Sequence, residues 1–282
     1  MPAVDLGGAD RCPVPAGVAA PYAAGVARPA DLLTGALAED PARPLVTFYD
    51  DATGERTELS VATFGNWAAK TANLLRDGLG AQPGETLAVR LPPHWQAYVW
   101  VQAAWLAGLT VDLRPGEPVD VAVVEHTEPG PVPAQEVVAL GLGPLGLPRP
   151  GVTPTYAGAL DYDREIHAHG DRFVPGTDAD APALLTADGP VPATALADLA
   201  EAAPRLRPGG RLLVTEPVDG VRSVVGGLLV PLATGGTVVV CRHLDPDLLA
   251  SRIEQENLVA TLGGESGSSS VSTAGLSEFR PA

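Results

Sequence analysis

The chain has 282 residues, of which 45% are hydrophobic and 5% aromatic, enough for one large core or two smaller ones built mainly from Val, Leu and Ala. Its net charge of −16, from 34 acidic against 18 basic residues, repels phosphodiester backbones and anionic headgroups, so neither nucleic acid nor a membrane is expected as a partner. Two widely separated cysteines, Cys12 and Cys241, support neither a disulfide framework nor a metal knuckle.

Residues 1–30 are rich in Pro, Ala and Gly without any period and read as an irregular arm. Residues 1–28 hold no cationic segment followed by an unbroken apolar stretch, so no signal peptide is read and a cytoplasmic location is expected. Asp31 is placed to cap a short helix reaching Leu37. Residues 45–49 and 56–59, joined by Asp51-Ala52-Thr53-Gly54, predict a β-hairpin. Ser60 then caps an amphipathic helix carrying Val61, Phe64, Trp67, Ala68, Leu74 and Leu75 at three- and four-residue steps.

A strand over 86–91, a helix over 94–106 and a strand over 109–113 follow with short connections, which implies parallel pairing. Residues 119–124 extend the sheet, and 137–142 form a short strand inside a Pro/Gly-rich seam at 129–155. Beyond it the pattern predicts a helix over 156–167, a strand over 183–186, a loop over 187–192 and a helix over 193–203. Next come a strand at 211–214, a Gly-interrupted helix at 221–232, a strand at 237–241, a helix at 246–256 opened by Asp245, and a strand at 258–262. The uncharged run 223–241 contains Gly226, Gly227, Pro231, Gly235 and Gly236, and so reads as helix, turn and strand rather than a membrane span. The tail over 263–282, with Glu265-Ser266-Gly267-Ser268-Ser269-Ser270, is low in complexity and expected to be disordered. The expected layout is therefore an arm at 1–30, α/β sub-regions at 31–128 and 156–262 about the seam, and that tail. A three-layer α/β/α fold with a mostly parallel sheet is the class predicted.

Three stretches carry a resemblance. Thr57-Glu58-Leu59-Ser60 leads through Asn73-Leu74-Leu75 to Gln82-Pro83-Gly84-Glu85-Thr86-Leu87-Ala88-Val89-Arg90-Leu91-Pro92. Ala103-Ala104-Trp105-Leu106-Ala107-Gly108 approaches the following strand. Gly226-Gly227-Leu228-Leu229-Val230-Pro231-Leu232 runs through Gly235-Gly236-Thr237-Val238-Val239-Val240 to Asp245-Pro246, Ile253-Glu254 and Asn257-Leu258-Val259-Ala260-Thr261. In this order the stretches resemble the N-terminal domain of the AMP-binding, acyl-CoA synthetase-like adenylating enzymes, over about residues 31–262.

The resemblance implies an ATP, AMP or acyl ligand, and the departures from it imply loss of chemistry. The family's Ser/Thr/Gly-rich phosphate loop ends in Pro-Lys, but the corresponding place here reads Thr186-Ala187-Asp188-Gly189-Pro190. Thr186, Asp188 and Gly189 are the vestigial phosphate-loop candidates, and Asp188 brings a carboxylate where phosphate would sit. Where acyl-CoA synthetases often carry an aromatic-His pair, this chain has Glu216-Pro217-Val218-Asp219. The only lysine, Lys70, lies on the amphipathic helix and cannot replace a lid lysine that stabilises phosphoryl charge.

These departures predict a pseudoenzyme that binds a small acyl or nucleotide-like ligand, or that partners another protein, with no catalytic residue assigned. One alternative is half of a split ligase completed by another chain. A second is a methyltransferase-like protein, because Leu206-Arg207-Pro208-Gly209-Gly210-Arg211 resembles the Pro-Gly-Gly turn of S-adenosylmethionine enzymes, although the expected acids are missing. Gly141-Leu142-Gly143-Pro144-Leu145-Gly146 matches a dinucleotide-binding pattern, but Pro148 and Pro150 argue for a turn. His167-Ala168-His169 shares no helical face and has no spaced partner, so no metal motif is read.

Overall fold

The computed structural model describes residues 28–127, 132–148, 151–175, 182–207, 209–262 and 277–278. Helix α1 (Pro29–Glu39) begins where proline already holds a helical φ. Asp31, expected as its cap, instead stands at the third position, where its carboxylate accepts the Arg28 backbone N–H at 3.2 Å. Strands β1 (Pro44–Asp50) and β2 (Glu55–Ser60) form the predicted antiparallel hairpin. Ser60 then caps α2 (Val61–Asn73), its hydroxyl accepting the Thr63 N–H at 3.2 Å.

Strand β3 (Thr86–Arg90), helix α3 (Trp95–Leu106) and strand β4 (Thr110–Asp112) make the predicted parallel unit. Strands β5 (Val119–Glu125), β6 (Ala134–Leu140) and β7 (Leu160–Asp161) follow, and α4 (Tyr162–Glu165) is only one turn. The helix predicted over 156–167 is short because Leu160 and Asp161 pair with Val138 and Ala139 of β6, and backbone committed to a ladder cannot also wind.

Strand β8 (Pro182–Thr186) turns directly into β9 (Gly189–Pro192), where a loop was expected. Pro190 and Pro192 argue against a central strand, but β9 lies at a sheet edge, where a missing N–H costs little. Helix α5 (Ala193–Ala202), strand β10 (Arg211–Val214) and helix α6 (Val221–Val224) come next. A π-helical turn over Val225–Leu229 joins α6 to α7 (Val230–Thr234). There the backbone of Gly227 lies so close to Tyr98 that any Cβ would collide with the phenol. Strand β11 (Thr237–Arg242), helix α8 (Pro246–Gln255), capped by Asp245 as expected, strand β12 (Leu258–Leu262) and strand β13 (Ser277–Glu278) complete the described chain.

Two sheets result. One has the order β13-β12-β10-β11-β1-β2 and the other β7-β6-β5-β3-β4-β8-β9. Every pairing is parallel except the β1–β2 and β8–β9 hairpins, each at a sheet edge. Strands from both sides of residues 129–155 meet in each sheet, and β1 joins β11 across almost the whole described chain.

Helix α3 packs against β3 and β4 of one sheet and β1 of the other. Trp95 through Ala104 are all buried, as expected of a helix apolar on every side. Trp95 and Trp100 are among the largest fully buried side chains, each costing about 3–5 kcal/mol if cut back to alanine. This shared core fixes how the carboxyl ends of both sets of strands face one another. Among the described residues no helix is long and apolar enough to cross a membrane.

Candidate functional site

Ligands of open α/β sheets sit beyond the carboxyl ends of the strands. In this chain a cleft of about 340 Å³ opens there, where the ends of β3 and β4 face the loop after β10. Its volume falls in the range of about 300–1,000 Å³ typical of small-molecule sites. One wall comes from Arg90 and Leu91, a second from Asp112 to Gly116, and the third from Pro217, Val218 and Asp219.

The polar content of the cleft is balanced in charge, two arginines against two aspartates. Arg114 donates Nε and Nη2 to the two oxygens of Asp112, at 3.0 and 2.7 Å, and its backbone N–H donates to the same carboxylate at 2.9 Å. Burial pushes the Asp112 carboxyl up, but the Arg114 hydrogen bonds and charge, with Arg90 adding its own, outweigh that and hold it below the usual carboxylate range. Arg90 donates to the Glu117 carbonyl at 3.2 Å, and Asp219 is exposed on the opposite wall. Such a site can orient a small polar or zwitterionic group through Arg90 and Asp219.

Thr186, Asp188 and Gly189 occupy the β8–β9 turn, which has two residues, Ala187 and Asp188, between paired Thr186 and Gly189. The Thr186 hydroxyl donates to the Gly189 carbonyl at 2.9 Å, so it serves the turn itself. Gly189 has φ of +121°, a conformation in which other residues are strained, and Asp188 is exposed. Leu185 pairs with Asp112, and its carbonyl accepts the Leu113 N–H at 2.9 Å, so the turn borders the cleft wall. None of the three residues lines the cleft itself.

Lys70, on α2, donates to the His169 carbonyl at 3.0 Å and does not line the cleft. His167 is exposed with its ring in edge-on contact with that of Trp67, and neither it nor His169 belongs to a group of three or more metal-capable side chains among the described residues. Gly141 to Gly146 follow the end of β6 and include a 3₁₀ turn, Leu142, Leu145 and Gly146 all have positive φ, and among the described residues no helix follows directly to face a phosphate. Arg207 and Asn257 clamp the turn that includes Gly209: Asn257 Nδ2 donates to the Gly209 carbonyl at 2.7 Å, at the amino end of β10 and away from the cleft. Pro208 and Cys12 lie outside the described residues. Cys241 is buried, and burial with the nearby Asp51 charge pushes its thiol up to about 12, which makes it a poor nucleophile.

Sequence reasoning did not find the cluster of His126, Asp161 and Asp163. Asp161 and Asp163 are two residues apart, but no local spacing links them to His126, which meets them only because β5, β6 and β7 are adjacent.

No family model matches the chain. A TIGR03089 family protein of Mycobacterium tuberculosis strain H37Rv is 37% identical over 240 residues, covering 82% of this chain and 96% of that protein. The acyl-CoA synthetase of Brucella canis superposes with a TM-score of 0.69 at 15% identity, over 83% of this chain and 47% of its own. An anthranilate CoA ligase solved with anthranoyl-AMP gives 0.61 at 16%, over 81% and 48%. The chain therefore has the fold of the N-terminal domain of adenylate-forming acyl-CoA synthetases and spans about half the length of those solved proteins.

Proposed function

Because the chain belongs to the TIGR03089 family and carries an acyl-CoA synthetase-like fold, we propose that it is a ligand-binding protein on that scaffold, unable to form adenylates by itself. Its ligand is a small acyl or nucleotide-like molecule held in the cleft between Arg90, Asp112 and Asp219.

The single observation that carries this reading is the β8–β9 hairpin. A triphosphate needs several backbone N–H groups in a supple loop and a fixed cation beside them. A two-residue turn flanked by a hydroxyl already bonded across its own hairpin, and whose exposed polar side chain is a carboxylate, supplies neither. The cleft's two arginines are offset by two aspartates, so it does not compensate for the missing charge.

Thermal-shift titration of the isolated chain tests the ligand class, because whatever binds the folded state raises its melting temperature by mass action. An acyl-adenylate analogue, AMP or a short acyl-CoA is expected to stabilise it, and Arg90→Ala to abolish the shift. MgATP stabilising the chain more than AMP does, through the triphosphate, overturns the reading. Stabilisation by S-adenosylmethionine alone would favour the methyltransferase-like alternative.

A further inference from the structure

At the other end of the seven-stranded sheet, the carboxyl ends of β5, β6 and β7 bring together His126, just after β5, Asp161, the last residue of β7, and Asp163 in α4. Each offers a nitrogen or oxygen within 4.8 Å of the others. His126 is 3% exposed, and neither of its ring nitrogens makes a hydrogen bond among the described residues. Its Nε2 lies 3.5 Å from Asp161 Oδ1, an oxygen that is itself without a hydrogen-bond donor there. Buried polar groups are almost always satisfied, so an imidazole left this way beside two carboxylates points to a missing partner.

The neighbours orient the carboxylates toward that partner. Arg164 Nε holds Asp161 Oδ2 at 3.1 Å, and the Gly141 N–H donates to Asp163 Oδ2 at 2.9 Å. Contacts of this kind hold a carboxylate in place, as outer-shell partners do for metal ligands. Gly141 is required here, since a Cβ would lie 2.5 Å from Asp163 Oδ2 and 3.1 Å from His126 Nδ1. Two carboxylates converging at a buried point repel one another unless a cation or proton lies between them.

We propose that His126, Asp161 and Asp163 form a binding site for a divalent transition-type cation, with zinc the best match to one imidazole and two carboxylates. The imidazole nitrogen disfavours magnesium and calcium, which prefer all-oxygen shells. Zinc binds such ligands at about 2.0–2.2 Å, so the three donors draw inward by small side-chain rotations. Asp161, with 18% of its side chain exposed, stands at the rim and leaves a fourth position open to water. The site shares no residue with the cleft, and neither exposed His167 nor half-buried His169 takes part in it.

The rival arrangement is a direct contact between His126 and Asp161 with no metal, and metal uptake separates the two. The full chain is dialysed against zinc, desalted and analysed for metal, and cobalt is substituted to read the ligand field. About one equivalent of zinc should be retained, with tetrahedral-type cobalt bands, and excess magnesium should not displace it. Asp161→Asn and His126→Gln should each weaken binding at least about tenfold while circular dichroism stays unchanged, whereas His167→Ala should bind as the parent does. Failure of the folded parent chain to retain zinc, or retention undiminished in both ligand variants, overturns the proposal. If both variants fail to fold, the parent's cobalt spectrum decides, since absence of d–d bands in the stoichiometric range overturns it equally.

Discussion

The β8–β9 turn and the β5–β6–β7 rim are both carboxyl-end regions of one sheet, yet they spend their polar groups in opposite ways. At the turn, the groups that look ligand-like from the sequence are exposed or bonded across their own hairpin. At the rim, an imidazole and two carboxylates lie together in or near the protein interior, with ring nitrogens that bond to nothing described. Capacity for a ligand thus follows from desolvated, unspent polar atoms more closely than from position in a familiar motif.

Mutation can sharpen that contrast, beginning with a benchmark in the six-stranded sheet. Asp51 and Arg252 form a bidentate pair at 2.6 and 2.7 Å, with 3% and 8% of their side chains exposed. Asp51→Ala leaves a buried guanidinium unpaired and should cost about 3–5 kcal/mol in urea unfolding. Burial raises the Asp51 carboxyl, but the Arg252 hydrogen bonds, the Asp245 N–H and the Arg252 charge outweigh it and hold it below its ordinary value. Its contribution is therefore complete above the unfolded carboxylate value of about 4 and fades as pH falls through the lower folded value. The gap in stability between the parent and Asp51→Ala should accordingly be constant near neutrality and close only in acid.

Asp163→Ala, at the rim, removes a fully buried acceptor from the Gly141 N–H and should cost about 2–3 kcal/mol by the same measurement. A loss below that of the turn variants would erase the contrast. Gly189→Ala meets nothing within 4 Å, so its expected cost of about 1–2 kcal/mol comes from backbone strain alone. Asp188→Lys should change stability by less than about 0.5 kcal/mol, and it should not create ATP binding, because one cation on a two-residue turn still lacks the amide cradle.

Much of the fold was legible in the sequence. Strands β10 and β12 fall on the predicted residues because short apolar runs bounded by turns have few other homes, and Ser60 and Asp245 cap their helices as expected. The same reading missed β9, whose prolines are tolerated only because of its edge position, and shortened nothing over 156–167, where a ladder partner decides the outcome. Tertiary partners are invisible to local pattern. That is also why Thr186, Asp188 and Gly189 could be picked out by resemblance, whereas the Arg114–Asp112 clamp and the His126 cluster depend on which strands become neighbours.

Hydroxamate trapping asks whether the β8–β9 hairpin of this scaffold still supports adenylate formation. The isolated chain is incubated with MgATP, a panel of carboxylic acids and hydroxylamine, and hydroxamate is read by colour. No product above the protein-free control is expected with any acid, whereas turnover by the purified chain that disappears when residues 186–190 are altered would show that the hairpin still holds the triphosphate.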